Sequence, residues 1–166
     1  MFAADARKHT PGKNAEKENF SMRELTFDTG VQKYTVNGVE DVFRINPTDT
    51  EFIGRLSDAF DTLNGMWKNR GDTVGEDMKS DDLKQIVGGM RRMDGKTRQT
   101  IDELLGEGVS EQVFGSVSTY ALVDGFPVWA NFLLSLMEDC DKAYQRERTL
   151  SNPRLEKYLK KYRRTL

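Results

Sequence analysis

The chain has 166 residues, 37% hydrophobic and 31% charged, with a net charge of −2, one cysteine and one histidine. That length fits a single domain with extensions. Single copies of Cys and His exclude an internal disulfide and a Cys/His metal cluster.

Residues 1–21 are rich in Lys, Glu, Asn and Ala and carry no apolar period, so a disordered extension is expected. The opening MFAADARKHT lacks the apolar core of a secretory signal, which makes the cytoplasm the expected location. His9 lies in this stretch, too isolated for a metal site or a catalytic base. The ordered pattern begins at Met22, which we read as the functional start.

Arg23 to Ile45 reads as β structure. Leu25 and Phe27 alternate with polar residues, and Asp28-Thr29-Gly30 marks a turn. Asn37-Gly38 suits a type I′ hairpin, with Val39, Val42, Phe43 and Ile45 on the return strand. An isolated hairpin is marginal in water. Two roles are open to it: covering a helical bundle, or offering an edge for strand addition.

Asn46-Pro47-Thr48-Asp49 predicts a helix start, with Asn46 as cap and Pro47 in the first turn. Phe52, Ile53, Leu56, Ala59, Phe60, Leu63, Met66 and Trp67 keep helical spacing over four turns. Asn69-Arg70-Gly71-Asp72 ends that helix, and Thr73 to Lys79 is a polar connector. A second helix is predicted from about Ser80 to Leu105, with a thinner stripe through Leu83, Ile86, Val87, Met90, Met93, Ile101, Leu104 and Leu105. Each interrupting glycine, at Gly88-Gly89 and Gly95, costs about 1 kcal/mol against alanine, so a bend at Gly95 is anticipated. Its mixed charges read as a solvated face. Gly106-Glu107-Gly108 stops it, and Ser110 is expected to cap a short helix with Val113 and Phe114 inward.

Tyr120–Cys140 is the most apolar stretch of the chain. Pro127 fits a first helical turn. Val128, Trp129, Phe132, Leu133, Leu136, Met137 and Cys140 follow at helical spacing, which predicts a central, mostly buried helix. The apolar run from Phe126 to Met137 spans roughly 18 Å, too short for a bilayer. Cys140 falls on the buried stripe and is read as core. Asn152-Pro153 repeats the cap-and-proline signature before a last helix with Leu155, Tyr158, Leu159 and Tyr162 on a narrow stripe. Lys142 to Leu166 holds nine basic and two acidic residues, a net +7 that leaves −9 on the rest. Arg154, Lys157, Lys160, Lys161, Arg163 and Arg164 are the candidate polyanion-binding residues.

The expected architecture is therefore mainly α: a small bundle of four to five helices with an N-terminal β-hairpin or short antiparallel sheet. Its parts are a disordered extension (residues 1–21), the folded body (22–146) and a basic C-terminal helix or tail (147–166). No phosphate-binding glycine loop, metal cluster or nucleophile–base pair is found in the sequence. The carboxylates Asp77, Asp81 and Asp82, and Glu138, Asp139 and Asp141, fall on polar faces. No catalytic, metal-binding or cofactor-binding residue is assigned, and a non-enzymatic role is expected. Met66, Trp67, Met90 and Met93 are the candidate protein-binding residues, because Met adapts to varied surfaces and Trp anchors interfaces.

Three blocks carry a family resemblance: Met22-Arg23-Glu24-Leu25-Thr26-Phe27 with Asp28-Thr29-Gly30; Tyr34-Thr35-Val36-Asn37-Gly38; and Phe43-Arg44-Ile45-Asn46-Pro47-Thr48-Asp49. Together with Val113-Phe114-Gly115 and Tyr120-Ala121-Leu122-Val123-Asp124-Gly125-Phe126-Pro127-Val128-Trp129, they resemble small proteins encoded in the tail module of Firmicutes phages and prophages. That group is similar in size and helical character to tail assembly chaperones, which hold the tape measure protein soluble until the tail tube forms around it. The resemblance covers roughly Met22 to Asp141 and departs at the extension before it and the basic tail after it. It implies a phage protein of the host cell cytoplasm that binds a tape measure or tail tube protein, without cofactors. A nucleic-acid-binding or host-directed accessory protein acting through the basic tail, and a structural tail component, are the alternatives. No membrane partner is expected, and self-association is compatible with the pattern.

Overall fold

The computed structural model describes residues 21–73 and 83–163. His9, nearly all of the expected disordered extension, most of the 73–79 connector, Asp77, Asp81, Asp82 and Arg164 lie outside the described residues. Within them the chain is mainly helical, with a short antiparallel sheet at its N-terminal end.

Strands β1 (Gln32–Val36) and β2 (Val39–Ile45) form the expected hairpin. Asn37 and Gly38 both have positive φ (48° and 84°), as a type I′ turn requires. Gln32 pairs with Ile45 and Tyr34 with Phe43, but Val36 pairs with Val39. The register shift places the extra residues on β2, where Asp41 takes φ 52° and its carboxylate holds the Arg44 guanidinium. Such an irregularity bends and twists a hairpin. The twist lets Val42, Phe43 and Ile45 face the bundle together.

Residues 21–31 depart from expectation. Leu25 and Phe27 alternate as a strand would, yet they form none and stand 85% and 76% exposed. A strand exists only through a hydrogen-bonded neighbour, and none lies beside them in the described residues.

Helix α1 (Thr50–Lys68) starts three residues later than expected. Asp49 is its cap, accepting from the Glu51 N–H at 3.0 Å. Asn46 instead closes the preceding turn by accepting from the N–H and hydroxyl of Thr48. A short helix α2 (Arg70–Thr73) follows the cap at Asn69. Helix α3 (Leu83–Leu105) runs unbroken through Gly88, Gly89 and Gly95. Tertiary packing outweighs the glycine cost, because Gly89, Met93, Thr97, Ile101 and Leu104 are all buried on it.

Helix α4 (Val109–Phe114) is capped by Gly108 in the left-handed region, not by Ser110. Ser110 is buried, and its N–H donates to Asp102 Oδ1 of α3 at 2.7 Å. Two-residue strands β3 (Leu122–Val123) and β4 (Phe126–Pro127) make a second hairpin. Its turn is Asp124-Gly125, with φ 51° and 82°. Pro127 thus ends a strand and caps the next helix instead of lying inside its first turn.

Helix α5 (Val128–Thr149) is the interior post. Trp129, Ala130, Leu133, Leu136 and Cys140 are all 4% exposed or less. They meet Phe52, Leu56 and Leu63 of α1, Met93 and Ile101 of α3, Phe114 of α4 and Phe43 of β2 in one core. Helix α6 (Pro153–Arg163) follows, with Asn152 Oδ1 accepting from the Arg154 N–H at 2.9 Å as the cap signature implied. Every described side chain of α6 is exposed, so it adds nothing to the core.

Candidate functional site

A groove of about 340 Å³ runs between α1 and α5. Thr50, Ile53 and Ser57 line it from α1 at spacings of three and four, so they occupy one helix face. Met137, Cys140, Asp141 and Tyr144 line it from α5 in the same way. Leu56 and Cys140, 1% and 2% exposed, form the floor; Tyr144, 38% exposed, stands on the rim. Burial, and then the charge of Asp139, push the Cys140 thiol up to about 11. Near neutral pH it is a protonated packing group, not a nucleophile.

Outside the groove, Leu150 and, on α6, Leu155, Tyr158 and Leu159 are exposed apolar residues. Exposed Arg154, Lys157, Lys160, Lys161 and Arg163 surround that stripe. The Lys157 ammonium sits 5.9 Å from the Tyr158 ring centroid. The candidate polyanion-binding residues within the described chain therefore share one short, solvent-facing helix.

A second groove, about 440 Å³, lies between the first hairpin and helices α4 and α5. Phe43 and Phe114 each meet Phe132 edge-on, and Tyr34 stacks on Phe43 at 4.8 Å. The Tyr34 hydroxyl donates to Asp139 Oδ2 at 2.7 Å, tying the hairpin to α5. Burial and then that carboxylate raise the Tyr34 pKa, so the phenol stays protonated and keeps donating.

The residues expected to bind protein lie in the core or packed against it. Met93 is 1% exposed and belongs to the core. Met66, Trp67 and Met90 are half-buried against it. The Trp67 ring stacks on Tyr120 at 5.8 Å and carries the Arg70 guanidinium 4.2 Å from its centroid. Helical spacing identified these residues as apolar but could not tell an inward position from a rim position. Ile53 and Met137 were equally visible as stripe residues. Tyr144, one turn beyond Cys140, was the signal that α5 keeps an apolar rim past the core.

No family model, curated protein or solved structure matches this chain. Among the described residues, no group of three or more His, Cys, Asp and Glu side chains is placed to hold a metal ion. Among the same residues, no helix is long and apolar enough to cross a membrane.

Proposed function

We propose that this is a non-catalytic binding protein that holds an apolar helix of another protein, in the manner of a phage tail assembly chaperone holding the tape measure protein. The observation that carries the proposal is the α1–α5 groove. Its walls are two helices, its lining repeats at helical spacing, and its rim is open. A third helix with apolar residues at i, i+3/i+4 and i+7 fits such a hollow ridge-into-groove. Met137 in the wall tolerates varied partner side chains. The resemblance of Met22–Asp141 to tail-module proteins supplies the class of partner.

Co-expression with the tape measure protein of the same tail module tests this. The native chain is expected to keep that protein soluble and to co-purify with it. The double variant Ser57→Arg, Tyr144→Glu puts charge in the groove without touching the core and is expected to lose the complex. Undiminished co-purification of the variant, or none with the native chain, would refute the groove as the site.

The exposed cations of α6 favour a second reading, nucleic-acid binding. It predicts affinity that falls steeply with salt, with a log–log slope of roughly −0.9 for each phosphate neutralised on duplex DNA. Truncation after Leu150 separates the two readings, because it removes every α6 cation and leaves the groove whole.

A further inference from the structure

The exposed arm at residues 21–31 has no use in the reading above. From Arg23 to Phe27 it alternates, with Arg23, Leu25 and Phe27 on one side and Glu24 and Thr26 on the other. Leu25 and Phe27 are largely in water. Meanwhile β1 is paired only with β2, which leaves its other edge open among the described residues. Three consecutive residues of that strand, Tyr34, Thr35 and Val36, line the 440 Å³ groove. Side chains on a strand alternate between faces, so three neighbours share one hollow only where the strand's backbone edge borders it.

The arm does not reach this edge in its own chain. Gln32 pairs with Ile45, and Asn46 Nδ2 then donates to the Thr29 carbonyl at 2.9 Å. The Gly30 N–H donates to Asp28 Oδ1 at 2.8 Å. Gly30 sits so close that a Cβ there would meet Asn46 Nδ2 at 2.7 Å. These contacts anchor residues 28–30 beside the end of β2. Turning back over β1 would break them.

We propose that Arg23–Phe27 of one copy adds as a third strand to the open edge of β1 in a second copy, with Leu25 and Phe27 entering the groove between that hairpin and α5. The arm and β1 are five residues each, so the ladder is matched in length. The half-buried side of β1, Tyr34 and Val36, then continues into Leu25 and Phe27. The other side brings Glu24 to the face that carries Lys33, an opposite-charge cross-strand pairing. A hairpin marginal by itself becomes a three-stranded sheet. Two copies can exchange arms reciprocally, which closes the assembly around a two-fold axis.

The test uses the full chain. Light scattering on the native protein is expected to give more than the monomer mass. Leu25→Asp, Phe27→Asp is expected to return a monomer that keeps its native circular dichroism, because both side chains are exposed in the single chain, with a lower thermal midpoint because the added strand is lost. Mixing a Phe27→Cys chain with a Ser135→Cys chain is expected to give a disulfide between the two different chains. A native monomer, self-association that survives the double Asp variant, or a 27–135 disulfide forming only within a chain that carries both cysteines would each overturn the proposal. Binding of the tape measure protein is not read in this test, so the two proposals fail independently.

Discussion

Asp94 does more for the fold than its position in the sequence implied. Its Oδ1 accepts from the Thr119 N–H at 2.6 Å and from the Thr119 hydroxyl at 2.8 Å, and its Oδ2 from Arg98 Nε at 2.9 Å. Arg98 in turn donates to the carbonyls of Gly115 and Val117. Helix α3 thereby pins the loop that delivers the chain into α5. Burial opposes ionisation of Asp94, but the hydrogen bonds from Thr119 and Arg98 outweigh it and hold the carboxyl below its usual range. Asp94→Ala leaves a buried N–H and a guanidinium short of partners and is expected to cost about 2–4 kcal/mol in urea unfolding. The sign of the pH effect follows from the lowered native pKa. The stabilisation is complete above the unfolded carboxylate value of about 3.9 and fades as pH falls through the lower native one. The stability gap between the native chain and Asp94→Asn should therefore be flat from pH 7 to 5 and narrow only in stronger acid. Read locally, Asp94 and Arg98 were part of a solvated charged face. Their partners on the loop after α4 lie 17 to 25 positions downstream, where no local pattern reaches. Cys140 was legible, since its place on the apolar stripe of α5 already implied burial. Its thiol should react with a disulfide reagent at pH 8 only at the rate of unfolding, and quickly in denaturant; fast labelling of the folded chain would contradict its burial.

Helix α5 was readable as the central element because its apolar residues are numerous, closely spaced and nearly free of charge. Trp129→Ala and Leu133→Ala, at 1% and 0% exposure, are expected to lose about 3–5 and 2–5 kcal/mol respectively in chemical denaturation. The first hairpin was legible through Asn37-Gly38. The second hairpin carries the equally favourable Asp124-Gly125, yet its strands are only two residues long, too short to show alternation. Two helix starts moved, in opposite directions: Asn46 closes the turn before α1, whose cap is Asp49, and Ser110 lies inside α4, which begins at Val109 after Gly108. Helix α6 buries nothing, so truncation after Leu150 should leave the thermal midpoint unchanged; a clear drop would mean that α6 docks on the body.

At the scale of the molecule, the fold divides its apolar surface into a closed core and open margins. The core holds α1, α3, α4, α5 and β2 together. The margins are the α1–α5 groove, the exposed stripe of α6, the groove beside β1, and the unpaired arm. The sequence made the closed part legible, because burial imposes periodicity. It left the margins obscure, because a rim residue and a core residue share the same spacing. Hence the predicted binding residues Met66, Trp67, Met90 and Met93 sit against or inside the core, and the open groove is built from Ile53, Ser57, Met137 and Tyr144. The proposed role of this groove is to receive a helix of a partner protein. It is tested most directly by a photo-reactive side chain placed at position 57 or 144, with exposed position 68 of the same helix α1 as control, in cells that also make the tape measure protein. Covalent capture of that protein from positions 57 and 144, and not from 68, is the predicted result; no capture, or equal capture from all three, would contradict it.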